Sequence, residues 1–379
     1  MKILIVKTFP DEINTTTYNS QEVGEAVALR RLGHECDILS ISADGEYHED
    51  DMTIGGETFK FYKVKGVKFL LNGWLKGCDY IFEQYDMLSV SEYHQIYTWR
   101  LAKKYAKKMI VYHGPYYSPY KKKYNLMASV FDIFFLNRYK KLGTTFITKS
   151  GLAAEYLKSK GLKKVYPVGV GISDSLLSVD GGEQLDFCKR INNESGFKLL
   201  YVGVIEDRRN SLFLLDVLTG LIKDKIDAKL VIVGKYRNEA YKQLFEKKVS
   251  ENKLEDRIIY QKVVKQGDLA QVYRAVDAFL FPTRYDIYGM VLLESMFYGL
   301  PTISTLCGGS EMMIKDGING VLINEYDADK WVAAVESLIH DANKRKTMGQ
   351  KATETIKNCF TWDALANKFL SVFDEKIKE

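Results

Sequence analysis

Apolar and polar positions follow two different periods along the chain, one typical of buried strands and the other of amphipathic helices. In the first half, strands are predicted at Lys2–Val6 and Glu35–Ile41, on either side of a helix at Ser20–Leu32 that stops at Gly33. A Lys-rich helix is predicted near residues 92–108. The further predicted strands are Tyr80–Glu83, Met109–Tyr112, Thr144–Thr148 and Lys164–Val168. This order predicts a parallel α/β domain over residues 1–180.

The alternation restarts after a polar, turn-rich segment at residues 171–195, where we place the domain junction. The predicted strands are Lys198–Ile205, Lys229–Val233, Ile258–Val264, Asp277–Pro282 and Thr302–Thr305. The predicted helices cover 211–223, 238–252, 267–275, 290–299, 327–340, 342–357 and 362–377. We expect a second domain at 195–358 and a C-terminal helix at 359–379 that packs back toward the first domain. The fold class is α/β, with two doubly wound Rossmann-like domains facing a central cleft.

The cysteine pattern and the hydropathy of the chain indicate the cellular compartment in which the protein works. The chain has 379 residues, and its five cysteines are scattered without any C-x-x-C, which argues against a zinc site or a disulfide framework. The N-terminal apolar run is too short for a signal peptide, and no stretch reaches the roughly 18–20 apolar residues of a spanning helix. We expect a cytoplasmic protein that does not cross a membrane.

Charge is distributed unevenly, and residues 101–150 hold eleven Lys or Arg against a single acid, Asp132. Lys121–Lys123 precede a stretch whose apolar residues recur at near-helical spacing. Basic residues beside such a helix favour peripheral contact of 121–141 with an anionic membrane. The alternative is a helix packed in the core whose lysines solvate its ends. We expect no nucleic-acid partner, because no recognised binding motif accompanies the charge.

Candidate chemistry concentrates in the segment Phe281–Gly320. A buried strand ends at Pro282, a loop carrying Asp286 follows, and Gly289 opens a helix that carries Glu294. A helix start after a strand offers backbone N–H groups and a positive dipole that suit a phosphate. A carboxylate is suited to accept hydrogen bonds from the hydroxyls of ribose or another sugar. We expect the side chains of both acids to point at one cleft. Further on, Cys307–Ser310 is predicted to be a glycine turn.

This run of landmarks resembles the retaining glycosyltransferases of family 4, the group 1 glycosyl transferases with the GT-B fold. The resemblance is carried by an acid followed by a Glu, a Gly-Leu-Pro, a Gly-Gly and an acid-Gly-x-x-Gly. These correspond here to Asp286 and Glu294, Gly299-Leu300-Pro301, Gly308-Gly309 with Glu311, and Asp316-Gly317 with Asn319-Gly320. Weaker similarity extends over most of the chain.

The resemblance implies a role for each candidate. Glu294 would hold the ribose hydroxyls, and Arg208 and Arg209 would stabilise the leaving diphosphate. Asp286 and the backbone of 288–290 would hold the donor sugar and diphosphate. Asp286, His113 and Arg209 are thus the catalytic candidates. The donor-binding candidates are Glu294, Arg208, Tyr288, Gly289, Met290 and Thr16.

No cofactor and no metal are expected, and the donor substrate would be a nucleoside diphosphate sugar, with UDP favoured. Asp327-Ala328-Asp329 mimics a D-x-D metal motif, but it stands where the next helix needs a capping acid. The partners would be the nucleotide sugar and a glycan or lipid-linked acceptor bound by the first domain.

The resulting prediction is a retaining hexosyltransferase of cell-envelope or capsule polysaccharide synthesis. Two alternatives stay open: a non-catalytic GT-B protein that binds a sugar nucleotide or a partner glycosyltransferase, and a UDP-sugar epimerase. The non-catalytic alternative is motivated by three departures from the family pattern. Asp286 replaces the usual Glu, and Val204 replaces a frequent Arg. The N-terminal loop reads Asn14-Thr15-Thr16-Thr17-Tyr18 where the family usually has Gly-Gly.

Overall fold

The computed structural model describes residues 1–15, 20–69, 72–173 and 184–378. The chain divides into two compact units. The first unit contains the described residues up to Ser173 together with those from Phe360 onward, and the second contains residues 184–359.

The first unit is built on a sheet that, over its described residues, has eight strands in the order β10-β9-β8-β7-β1-β2-β4-β3. All neighbours are parallel except β3, which runs antiparallel to β4. The strands are β1 (Lys2–Val6), β2 (Glu35–Ile41), β3 (His48–Ile54), β4 (Glu57–Val64), β7 (Met87–Ser91), β8 (Met109–His113), β9 (Thr145–Thr148) and β10 (Val165–Pro167), with β5 (Gly66–Phe69) and β6 (Asn72–Leu75) forming a separate antiparallel pair. The helices are α1 (Gln21–Arg31), α2 (Asp79–Phe82), α3 (Ile96–Tyr105), α4 (Lys122–Leu142), α5 (Gly151–Ser159) and α14 (Trp362–Ile377).

The second unit has a parallel sheet in the order β13-β12-β11-β14-β15-β16. Its strands are β11 (Phe197–Val202), β12 (Ala228–Val233), β13 (Ile258–Gln261), β14 (Ala278–Phe281), β15 (Thr302–Ser304) and β16 (Val321–Leu322). The inner strands β12, β11 and β14 are short, mostly apolar runs that are buried almost throughout, as expected where helices cover a parallel sheet. The helices are α6 (Asp186–Asn193), α7 (Phe213–Lys223), α8 (Glu239–Glu251), α9 (Leu269–Arg274), α10 (Met290–Phe297), α11 (Gly308–Met313), α12 (Ala328–His340) and α13 (Ala342–Cys359).

Three local predictions are wrong. Tyr80–Glu83 is not a strand, because its residues belong mostly to the short helix α2, and a four-residue apolar run has no period that separates the two structures. Cys307–Ser310 is not a free turn but the capped start of α11. The polar segment 171–195 contains α6, whose Phe187, Cys188 and Ile191 are buried on one face.

The last helix, α14, completes the first unit. The Thr361 side chain caps it by accepting from Ala364 N at 3.1 Å. Trp362 is buried against α1, where a Cβ added to Gly24 would lie 2.1 Å from the indole nitrogen. Only glycine leaves room for this ring, so α1 and α14 can meet at close range.

None of the helices in the described part of the chain is both long enough and apolar enough to span a bilayer. The five cysteines all lie in described residues and are free thiols, four of them buried.

Candidate functional site

The candidate site of the second unit lies where its sheet changes direction. β11 pairs with β12 on one side and with β14 on the other, so the order in which strands are added to the sheet reverses at β11. The loops that leave the carboxyl ends of adjacent strands at such a switch point diverge and leave room for a ligand. Here those loops are residues 203–212, with a 3₁₀ turn at Asp207–Arg209, and residues 282–289.

Arg209 and Asp286, 77 residues apart in sequence, form an ion pair at this point. Both side chains are largely buried, with 18% and 13% exposed. Burial, followed by the charge of Arg208, lowers the pKa of the Arg209 guanidinium. Its Nε is buried and has no hydrogen-bond partner among the described residues. The site therefore holds a desolvated cation with donor capacity to spare, which suits an anionic ligand.

Asp286 also organises the start of α10. Its Oδ1 accepts from the backbone N–H groups of Tyr288 at 3.2 Å and Gly289 at 3.1 Å. Two of the amides expected to meet a phosphate are thus bonded to Asp286, while Met290 is the first residue of the helix. Asp286 therefore fixes the loop and pairs with the neighbouring Arg209.

Arg208 has a different environment from Arg209. Its guanidinium donates to the carbonyl of Tyr285 at 2.8 Å and to Glu206 at 2.7 Å. The bond to Tyr285 ties the turn after β11 to the loop after β14, and the bond to Glu206 lies within the turn itself. Arg208 is also more open to solvent, with 31% of its side chain exposed.

The glycine pair of α11 brings a third loop against this one. Gly308 N donates to the carbonyl of Asp286 at 3.3 Å. A Cβ on Gly309 would lie 1.7 Å from the carbonyl oxygen of Tyr288, a distance that no side chain tolerates. Gly309 is therefore needed for the close approach of α11 to the 286–289 loop.

Glu294 lies inside α10 and is only 2% exposed. It accepts a hydrogen bond from the Tyr273 hydroxyl at 2.8 Å, and burial raises its pKa to about 8. At neutral pH the side chain is therefore mostly a neutral acid, able to donate one hydrogen bond and accept others. The structure gives Asp286 and Glu294 different partners. The sequence offered no signal for Tyr273.

The structure brings together Arg208, Arg209, Asp286, Tyr288 and Gly289. His113 lies in the first unit at the end of β8, and Thr16 lies outside the described residues. The roles that the resemblance implies for all of these residues stay predictions.

His113 is fully buried, and its Nδ1 lies 2.8 Å from the Glu92 carboxylate. Burial alone would raise the pKa of Glu92, but Lys149 and His113 outweigh it and hold that pKa below the usual value. An ionised Glu92 makes Nδ1 of His113 the donor, and Nε2 has no partner in the described part of the chain. Glu92 adopts a left-handed backbone conformation, φ 57°, which sequence reasoning could not have anticipated.

Asp327 is the N-cap of α12, because its side chain accepts from Asp329 N at 3.1 Å. The capping prediction for the D-x-D segment is therefore confirmed. Over the described residues, no group of three or more His, Cys, Asp or Glu side chains is placed to hold a metal ion.

Comparison with known proteins identifies the second unit. Residues 184–355 match the family model described as "Glycosyl transferases group 1". The second unit is a group 1 glycosyl transferase domain. This confirms the family that the motif run predicted.

Two curated relatives illustrate how far the similarity extends. A D-inositol 3-phosphate glycosyltransferase of Corynebacterium kroppenstedtii is 32% identical over 112 residues, which are 30% of this chain and 25% of that protein. An uncharacterized 41.2 kDa protein in the cps region of Klebsiella pneumoniae is 27% identical over 202 residues, 52% of each chain. The chain thus spans a quarter to about half of the length of these relatives.

Solved structures match over the whole chain. A glycosyltransferase from Rickettsia africae superposes with a TM-score of 0.73 at 15% identity, covering 100% of this chain and 99% of the other. Anabaena HepE, crystallised with UDP-glucose, gives a TM-score of 0.68 at 13% identity, covering 99% and 100%. These likenesses confirm the GT-B fold class.

Proposed function

We propose that the chain is a retaining glycosyltransferase that moves a sugar from a nucleoside diphosphate sugar, with UDP as the favoured nucleotide, to a glycan or lipid-linked acceptor. The observation that carries this proposal is the buried Arg209–Asp286 pair at the switch point of a group 1 glycosyl transferase domain. A diphosphate gains negative charge as it leaves, and a desolvated guanidinium with an unused N–H is suited to stabilise it.

In the proposed reaction, the bond between the anomeric carbon and the diphosphate oxygen breaks as the acceptor hydroxyl bonds the same face of that carbon. The acceptor proton passes to the departing diphosphate. Arg209 and the more exposed Arg208 would stabilise this charge, and Glu294 would bond the ribose hydroxyls. Asp286 would orient the donor sugar while keeping the loop before α10 in place. No cofactor and no metal enter the scheme.

Capsule or cell-envelope polysaccharide synthesis is the setting we propose, supported by the similarity to a protein of a cps region. Binding of UDP-glucose by HepE supports the choice of a uridine nucleotide. Under this proposal the first unit binds the acceptor, at the inner face of the cell membrane.

The test is nucleotide binding followed by turnover. Thermal shift with UDP, GDP, ADP and CMP identifies the nucleotide, and hydrolysis of the matching sugar nucleotides, with and without candidate acceptors, measures transfer. We expect stabilisation by UDP and slow hydrolysis that Arg209→Met abolishes. Binding without turnover under any acceptor would favour the non-catalytic alternative, and an epimerised sugar released from UDP-sugar alone would favour the epimerase. Stabilisation by none of the nucleotides, in folded protein, would overturn the proposal.

A further inference from the structure

The helix α4 (Lys122–Leu142) is apolar on two opposite faces. One face packs in the core of the first unit, through Ala128, Phe131 and Tyr139 and the partly buried Phe135. The opposite face carries an apolar strip open to solvent. The strip consists of Leu126, Met127, Val130, Ile133 and Phe134, which are exposed by 67%, 47%, 47%, 77% and 61%. Five large apolar side chains on one exposed helix face indicate a surface that binds something.

The charges on α4 indicate what it binds. Each end of α4 carries a pair of lysines, Lys122 with Lys123 and Lys140 with Lys141. Since each residue turns the helix by about 100°, all four side chains project within about 80° of the centre of the strip. The two lysine pairs are about 27 Å apart along the axis. All four lysines are exposed. Apolar side chains between two basic ends match the hydrocarbon and the anionic headgroups of a bilayer surface.

α4 presents no negative charge that would repel an anionic surface. Its single acid, Asp132, is turned inward, where it bonds the Tyr93 hydroxyl and Lys160. Only 19% of the Asp132 side chain is exposed. Tyr117 and Tyr120, just ahead of the helix, are exposed by 62% and 47% and add amphipathic rings of the kind found at membrane interfaces.

A second copy of this chain fits the strip poorly. Pairing two α4 helices in parallel would place each lysine pair against its own counterpart. Pairing them antiparallel would place Lys122 and Lys123 against Lys140 and Lys141. Like charges therefore meet in either arrangement, which disfavours self-association.

We propose that α4 is an in-plane membrane anchor that docks the first unit on anionic phospholipid, with the strip in the acyl boundary and the four lysines among the headgroups. The anchor goes beyond the transfer reaction, and it would bring the protein to the surface that carries a lipid-linked acceptor. Docking needs no nucleotide and no turnover, so it stands or falls separately from the proposed function.

The first experiment is co-sedimentation of the full chain with phosphatidylcholine vesicles and with vesicles containing 30 mol% phosphatidylglycerol. We expect binding to the anionic vesicles alone, weakened by salt. Each lysine near the surface is worth about fivefold in partitioning, so K122E/K123E/K140E/K141E should reduce binding at least a hundredfold. I133S/F134S, with all lysines intact, should also reduce it at least tenfold.

Matched controls use exposed residues off the helix: Lys103→Glu with Lys107→Glu for charge, and Leu244→Ser for the apolar change. These variants should bind like the wild type. Equal binding to neutral vesicles, no binding to either, or unchanged binding of I133S/F134S would overturn the proposal.

The second experiment measures insertion. A polarity-sensitive fluorophore is attached at Ile133→Cys in a Cys359→Ser background, which removes the exposed native thiol. On anionic vesicles its emission should shift to the blue, while the same label at Leu244→Cys should not respond. Absence of the shift would overturn the proposal. Concentration-dependent dimerisation, with the shift seen in the dimer without lipid, would overturn it in favour of self-association through the strip.

Discussion

Replacing Glu294 by Gln tests whether this buried carboxyl is neutral in the folded protein. The pKa of Glu294 rises from 4.5 to about 8 on burial, so between these values the folded protein holds a proton that the unfolded chain has released. The free energy of unfolding then falls as pH rises, by about 1.4 kcal/mol per pH unit. Over the whole interval this amounts to roughly 5 kcal/mol. Glu294→Gln keeps the shape of the neutral acid and removes this loss.

The assay is urea unfolding of the wild type and Glu294→Gln at several pH values from 5 to 8.5. We expect the advantage of Glu294→Gln over the wild type to grow steadily from pH 5 to 8 and then level off. Taking the difference cancels Glu25, a second buried carboxyl whose pKa burial also raises to about 8. Glu251→Gln, an exposed change on α8, should show no pH-dependent difference. A flat difference for Glu294→Gln would mean that the carboxyl is already ionised, and the argument from burial would be refuted.

Three further changes address other contacts. Asp286→Asn removes the negative charge beside Arg209. Calorimetry should show that UDP binds at least as tightly as to the wild type, while the rate of sugar transfer falls at least tenfold. Asp207→Asn is the control for both measurements. Gly309→Ala forces α11 away from the carbonyl of Tyr288 and should weaken UDP binding at least tenfold, whereas Gly267→Ala, where a Cβ meets nothing within 4 Å, should not. Glu92→Gln leaves Lys149 without its buried partner and should lower the free energy of unfolding by roughly 3 kcal/mol.

For each of these three variants, a specific result would contradict the expectation. Unchanged transfer in Asp286→Asn would remove that residue from the catalytic set. Wild-type binding in Gly309→Ala would mean that the loop before α10 does not form part of the nucleotide site. For Glu92→Gln, the exposed pair Lys2–Glu35 provides the comparison, because Glu35→Gln should cost well under 1 kcal/mol. Equal losses in the two variants would show that the Glu92 carboxylate is not a buried structural charge.

Most of the second unit was predictable because its central strands are apolar runs separated by helices of ordinary length. Predicted and observed bounds of α8, α12 and α14 differ by one residue at most. The first unit was harder between residues 46 and 76. There β3 is largely exposed and rich in acids, so its sequence lacks the buried alternation that indicates a strand.

The candidate residues of the site were visible in the sequence, but their contacts were not. Arg209 and Asp286 belong to different loops, and only the pairing of β11 with β14 brings those loops together. The link from Tyr273 to Glu294 likewise depends on how α9 packs against α10. Long-range contacts of this kind follow from tertiary structure, which local periodicity does not encode.

The place of α14 in the first unit has a consequence for biosynthesis. The strands of that unit leave the ribosome before any of the second unit, yet Trp362 and its contact with Gly24 arrive only after the second unit has been made. During synthesis the first unit therefore stays incomplete, with one apolar face of α1 exposed to solvent. The second unit can fold completely as it emerges. A chain stalled or cut near residue 359 would leave a folded second unit attached to an incomplete first unit, a species that chaperones and proteases would be expected to recognise.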